Sequence, residues 1–243
     1  VRQLAYLVKA WAKARDINTP QQGTLGSYAY VITVLHFLQN RPKPIIPVLQ
    51  LLKADAVTGE ILTVNESDGL EEWVTNPTDG TRCNVYFFKP NANQLKRLKD
   101  EAKKNTETIS ELFLEYLKYF CYSIDPRNQV ISIRKGTRGQ SSLVSKQDKY
   151  EYYCWTHTDL LSVEDPFEIH YDVAHVLRPH TMASIRKEFI RAYTILSRCI
   201  IPVQQLKRVE PMLQDFIPYA LSAEKAIELL FEPVPNNSSS NNN

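Results

Sequence analysis

Residues Leu7–Tyr30 read LVKAWAKARDINTPQQGTLGSYAY, a helix, a loop and the opening of a second helix. Across Arg2–Arg15 the apolar residues Leu4, Leu7, Val8, Trp11 and Ala12 recur at helical spacing, which predicts an amphipathic helix with one buried face. Lys9 and Lys13 stand four residues apart and project from one side of that helix. Asp16–Gln22 reads as a loop, punctuated by Pro20 and Gly23. Thr24 is placed to cap the next helix, which carries Val31, Ile32, Val34, Leu35, Phe37 and Leu38 through to Gln39. A helix apolar nearly all round is a buried one. Ser27 and Tyr28 lie at its start. Ammonium groups and a hydroxyl near a helix N-terminus suit a phosphate, and a tyrosine ring offers a flat face to a base. Spacing alone also fits a plainer reading, in which the lysines are a solvated helix edge and Ser27 and Tyr28 are ordinary helix-start and core residues.

The 243 residues suffice for one large domain or two small ones. A hydrophobic share of 43% and a charged share of 23% are those of a globular protein. The net charge of +2 is too small to argue for nucleic acid, so any such surface must come from local clustering. Cys83, Cys121, Cys154 and Cys199 are scattered without metal-ligand spacing, which suits buried thiols in a reducing, cytoplasmic setting. No apolar run is long enough to span a membrane. A chain that opens on Val1 inside a helix reads as a fragment.

Pro42, Pro44 and Pro47 predict an extended connection after the second helix. Lys53–Arg82 is polar and turn-rich and reads as a long surface excursion with little regular structure. Gln94–Lys103 predicts an exposed helix, Thr108–Tyr122 a strong one, Gln129–Ile133 a strand, and Arg134–Ser142 a hairpin or flexible loop. Thr181–Leu196 and Ala223–Phe231 predict two further helices. Asn236–Asn243, NNSSSNNN, predicts disorder, and the Asn/Ser tail is taken to begin at residue 233.

A second motif, Val163–Ala174, reads VEDPFEIHYDVA. Asp165 and Glu168 resemble a catalytic carboxylate pair, yet Pro166 between them disfavours a helix that would present both. The plain alternative has Asp165 capping a turn and Glu168 solvated. Together the two motifs resemble terminal uridylyltransferases and cytoplasmic poly(A) polymerases of the polymerase-beta-like nucleotidyltransferase superfamily. The first matches L-V-K-x-W-A-K followed by G-T-L-x-S-Y-x-Y, and the second that family's E-D-P-F-x-x-x-H-N-x-G segment. The match covers roughly Arg2 to Ser197 and is loosest across Lys53–Glu107.

The resemblance implies a mainly α-helical chain with a small β element (α+β), the helical central domain of the poly(A) polymerase/oligoadenylate synthase substrate-binding type. That domain spans residues 1–232, with a PAP-associated segment at about 109–175. It implies addition of UMP, or AMP, to the 3′ end of single-stranded RNA without a template. Lys9, Lys13 and Ser27 would bind triphosphate, Tyr28 would stack on the base with Tyr30 left in the core, and Asp165 and Glu168 would read the base edge. The family's uracil-selecting histidine falls on Tyr171, with His170 one residue earlier and Asp172 where asparagine is usual. Either a one-residue shift of the loop brings His170 to that role, or Tyr171 takes it, or selectivity is altered; UTP is favoured over ATP. Lys118, beside Tyr116, Tyr119 and Tyr122, matches a basic RNA contact; Arg127, Arg134, Lys135 and Arg138 follow, where basic groups among aromatics suit single strands. The reaction needs Mg2+ or Mn2+ held by three carboxylates. Those belong to an N-terminal catalytic domain expected upstream; Gly26-Ser27 has no Asp-x-Asp after it and cannot substitute. The rival reading is a non-catalytic RNA-binding or scaffold module on the same fold.

Overall fold

The computed structural model describes residues 1–64, 70–134, 144–153, 155, 159–200 (for Ile200 the backbone alone) and 222–234. Lys135, Arg138 and the rest of 135–143, Cys154 and the residues from 235 lie outside the described residues. The contacts divide the chain into two units, one of Arg2–Tyr30, Thr108–Ile124 and the chain from Val176, the other of Val31–Glu107 and Asp125–His175. The fold is mainly helical with small sheets, as the sequence implies.

The first unit packs helices. α1 (Arg2–Ala14) buries Leu4, Val8, Trp11 and Ala12, one stripe of its surface. α2 (Ser27–Gln39) starts in this unit and continues into the next. Thr24 does not cap it; the helix begins three residues later at Ser27, and the Thr24 hydroxyl accepts instead from the Thr19 N–H at 2.7 Å. Gly23 closes the intervening 3-10 turn with φ +79°, and a Cβ there would meet the Val176 carbonyl at 3.3 Å, so both backbone and space demand glycine. With α3 (Ala92–Ala102) assigned to the second unit, α4 (Ile109–Tyr122) opens with a full capping box between Thr108 and Glu111.

Trp11 is fully buried, its ring edge-on to Phe113 of α4 at 5.8 Å and to Phe189 at 5.0 Å. Phe189 sits on a helix of 22 residues, Pro179–Ile200, longer at both ends than the spacing predicted. That helix becomes α6 once α5 (Lys146–Tyr153) is counted. Arg15, just past α1, forks onto Glu188 of α6 at 2.9 and 3.3 Å and donates to the Glu232 carbonyl. Arg191 donates to the Leu229 and Leu230 carbonyls of α7 (Ala223–Phe231), satisfying acceptors that the last helical turn leaves open. No helix among the described residues is long and apolar enough to cross a membrane.

The second unit carries the sheets. β1 (Leu52–Ala54) pairs antiparallel with β2 (Ile61–Thr63), and β3 (Trp73–Thr75) with β4 (Arg82–Asn84). These two hairpins occupy Lys53–Arg82, which the sequence reading assigned to an excursion with little regular structure. Their turns share a design. Asp55 and Asn76 each accept backbone N–H groups within the loop, and Gly59 and Gly80 take the left-handed conformation before the return strand. The strands escaped notice because they are three residues long and largely exposed, so no alternation marks a buried face. A third sheet has the order β6 (Val144–Ser145), β5 (Gln129–Ile131), β7 (Ser162–Val163), with β5 antiparallel to β6 and parallel to β7.

His36 of α2 is buried, and its Nδ1–H donates to the Ser132 carbonyl after β5 at 2.7 Å. Burial lowers its pKa from 6.5 to about 4, outweighing the opposing effect of that hydrogen bond. The unfolded chain therefore takes up a proton between these values that the folded protein refuses. Stability should be complete above about pH 6.5 and fall with acid, losing about 3 kcal/mol by pH 4. Urea unfolding across that range should show the slope, and His36→Asn should flatten it. In the helical unit, Trp11→Ala should cost about 3–5 kcal/mol by the same assay. Trp11→Phe should cost much less, because the buried indole N–H it removes has no hydrogen-bond partner.

Candidate functional site

The residues singled out by the first motif all lie in the helical unit. Burial of Leu4, Val8, Trp11 and Ala12 leaves Lys13 exposed and Lys9 half-buried, with the Lys9 ammonium 5.8 Å from the centre of the Tyr6 ring. Ser27 is the first residue of α2, and its hydroxyl accepts from the Asn18 side-chain amide at 3.0 Å. Asn18 is a residue that sequence reasoning missed. It bridges the loop to the helix start and fixes the Ser27 side chain. The two tyrosines that follow part company. Tyr28 is 48% exposed, whereas Tyr30 is fully buried and donates from its hydroxyl to the Ile17 carbonyl at 2.9 Å. Burial holds the Tyr30 phenol well above its usual pKa, so it stays a neutral donor. Cations, a hydroxyl and an outward ring thus decorate one short stretch whose apolar partners are sunk in the core.

Lys118 is half-buried on α4 of the same unit. Of its neighbouring tyrosines, Tyr116 is wholly in the core, packed against Phe113, Phe120 and Phe189. Tyr119 is largely buried, and desolvation pushes its pKa to about 12. Only Tyr122 of the three is classed as exposed, its ring edge-on to Tyr193 at 5.6 Å. The expected aromatic surface around Lys118 therefore shrinks to one ring.

The second motif lies in the sheet unit and forms a closed turn. Asp165 Oδ1 accepts from the Phe167 and Glu168 N–H groups at 2.9 and 3.0 Å, the Asp165 N–H donates to the Tyr171 carbonyl, and the Tyr171 N–H to the Glu168 carbonyl. Asp165 is thus a turn-capping residue, the plainer of the two sequence readings, and through that cap it sets the position of Glu168. Glu168 is not simply solvated: it accepts from the Asn76 amide at 3.3 Å, in the β3–β4 turn. Asn76 is a second residue that sequence reasoning missed, hidden because the hairpin carrying it was missed. Pro166 has its carbonyl held by the Arg134 guanidinium at 2.7 Å, and the same nitrogen reaches the Asn84 carbonyl at 3.2 Å. Arg134, grouped with RNA-binding basic residues by sequence, is here a brace between β4 and the turn.

Asp172, standing where asparagine is usual, accepts the Val163 and Ala174 N–H groups on one oxygen at 2.9 and 2.8 Å. An asparagine carbonyl would take the same two bonds. Burial raises the Asp172 pKa against those hydrogen bonds. The His170 ring is half-buried, and its backbone carbonyl accepts from the Trp155 indole. Tyr171 is 42% exposed, with its ring 5.2 Å from that of His175. Of the two candidates for the base-selecting position, tyrosine presents the more open side chain. Among the described residues, no three His, Cys, Asp or Glu side chains gather as a metal ion would require.

No protein-family model matches the chain. It is 32% identical over 203 residues to terminal uridylyltransferase 4 of Homo sapiens, a stretch that is 84% of this chain and 11% of the relative. It is 32% identical over 200 residues to the poly(A) RNA polymerase cid13 of Schizosaccharomyces pombe, covering 81% of this chain and 29% of the relative. Among solved structures it resembles Cid1 in complex with the UTP analogue UMPNPP, with TM-score 0.58 and 27% identity over 84% of this chain and 56% of that one. The chain thus spans well under two thirds of the relatives it matches. On both motifs, on the fold and on these likenesses, the chain's homologues are terminal uridylyltransferases and poly(A) polymerases.

Proposed function

We propose that this chain is the nucleotide- and RNA-binding part of an enzyme that adds nucleotides, uridylates in preference to adenylates, to RNA 3′ ends without a template. The observation that carries the reading is the segregation of side chains in the first motif. Tyr30 and Trp11 are spent on the core, while Lys9, Lys13, Ser27 and Tyr28 keep their functional ends at the surface or half-open to it. Lys9 and Lys13 supply flexible point charges to a triphosphate, Ser27 supplies a hydroxyl already oriented by Asn18, and Tyr28 supplies a stacking face. Glu168, steadied by Asn76 and by the Asp165 cap, accepts from the base edge, and Tyr171 or His170 completes the selection. Lys118 contacts the RNA strand. The divalent ions, Mg2+ or Mn2+, activate the RNA 3′-hydroxyl and stabilise the leaving pyrophosphate when bound; their carboxylates are assigned to residues outside this chain. The scattered thiols favour a cytoplasmic setting.

The likeness to Cid1 bound to a UTP analogue supports the nucleotide class. Primer extension on labelled RNA by the intact protein, with each single nucleoside triphosphate, tests the reading. UTP should be incorporated best; preferential use of ATP overturns the uridylyl assignment, and RNA binding without extension by any nucleotide favours the scaffold alternative. Lys9→Ala and Lys13→Ala should each raise the KM for UTP by about tenfold, the cost of a lost charge-assisted hydrogen bond. Tyr171→His should raise the ratio of kcat/KM for UTP over ATP, by about tenfold for one hydrogen bond at the base edge. An unchanged ratio would assign selection elsewhere.

A further inference from the structure

The sheet unit holds a cavity of about 460 Å3, within the size range of small-molecule pockets, whose lining takes Glu164 and Ile169 from the second motif but none of the side chains assigned above to the incoming nucleotide. Its floor is an ion pair. Lys149 of α5 and Glu164, both nearly fully buried, meet at 2.5 Å, and Lys149 also donates to the Ile169 carbonyl. The other oxygen of that carboxylate, Glu164 Oε2, is buried and has no hydrogen-bond partner. A buried acceptor left unmet costs about 1–3 kcal/mol and is the mark of a missing donor. Three rings stand in the wall: Trp73 of β3, 44% exposed, and Tyr152 and Tyr153 of α5, 75% and 37% exposed.

The charges of the lining say which part of a ligand enters. With Lys149 matched to Glu164, Arg134 remains as the wall's cation, and it is engaged with the Pro166 and Asn84 carbonyls. Glu71 and Asp148, both exposed, set two carboxylates at the wall. A triphosphate would be repelled there. An added cation has little to gain, because the Arg82 guanidinium already lies 4.9 Å from the Trp73 ring centre and the Lys149 ammonium 4.5 Å from that of Tyr153. A flat, uncharged group with an N–H donor fits all of these features. Every nucleobase carries such a donor on its Watson–Crick edge, and an unstacked one in a single strand offers both faces to aromatic rings.

We propose that this cavity receives one unpaired base of the RNA strand, stacked on Trp73 or Tyr152 and donating to Glu164 Oε2. The inference rests on the RNA-transferring reading above and adds to it a subsite remote in sequence from Lys118. An internal nucleotide brings a single negative charge per phosphate past the acidic wall, where a free triphosphate concentrates several on one group.

Photocrosslinking of a 5-iodouridine oligonucleotide to the full chain, mapped by mass spectrometry, tests it. Adducts are expected on Trp73, Tyr152 or Tyr153. The Trp73→Ala/Tyr152→Ala double variant changes only exposed side chains, so folding is spared. It should lose these adducts and about tenfold or more in oligonucleotide affinity, the worth of a lost stack. Excess UTP should not displace them. Glu164→Gln is the weaker probe, since it strands the Lys149 charge in the interior and can unfold the unit. Tight oligonucleotide binding with adducts only elsewhere, and affinity unchanged in the double variant, overturns the subsite while leaving the enzyme assignment standing. Displacement by UTP overturns it in favour of a free-nucleotide site. Failure of the chain to bind the oligonucleotide at all overturns the subsite together with the RNA-binding role given to this chain.

Discussion

A tryptophan on the apolar stripe of a short helix has to be covered, and Trp11 sets the arrangement of the helical unit. Its ring is closed in by Phe113 and Phe189, so α1 is pressed against α4 and α6 at once. The same rotation of α1 that sinks Trp11 turns Lys13 outward and leaves Lys9 at the margin. Arg15 then ties the end of α1 to Glu188, and both arginines that touch Glu188 also hold carbonyls at the far end of the chain's described part. Packing and charge placement are therefore one event: the core chooses which face of α1 is free to meet a ligand.

In the sheet unit the corresponding work is done by polar side chains satisfying backbone. The turn at Asp165–Tyr171 has no regular ladder of its own, and a loop survives partial burial only if its N–H and C=O groups find partners. Asp165 caps it from within, Asp172 ties its base to β7, and Arg134 pins Pro166 from outside. Each is a charged residue whose charge is used locally. That is why a count of basic or acidic groups misplaces their roles: Arg134 looks like a nucleic-acid contact until its acceptors are known. Glu168 is left as the carboxylate whose position the turn delivers, with Asn76 steadying it from a different hairpin.

Most helices were legible from an apolar stripe, an apolar run or a capping pair; α5, which has no apolar face, was not. Thr108 with Glu111 announces α4, and the stripe of Leu4, Val8 and Trp11 announces α1. The hairpins were not, since three-residue strands with exposed faces carry no alternation, and only the Asp55…Gly59 and Asn76…Gly80 loops hinted at them. The loss propagated to the site, for Asn76 and Trp73 owe their places to the second hairpin. Asn18 was invisible for a similar reason. Its tie to Ser27 is a contact made across a loop, and no local pattern encodes the direction of a side-chain amide.

By itself, then, the sequence determined six of the seven described helices, the buried stripe of α1 and the two motifs that carry the likeness. These are local or periodic properties, written in spacing and residue type. The tertiary structure alone decided that Asp165 caps while Glu168 is presented, that Arg134 braces rather than reaches out, and that Glu164 keeps an unmet oxygen beside a ring-walled cavity. Those outcomes depend on which distant acceptor or donor lies within about 3 Å, and that distance is set only when the chain has closed on itself.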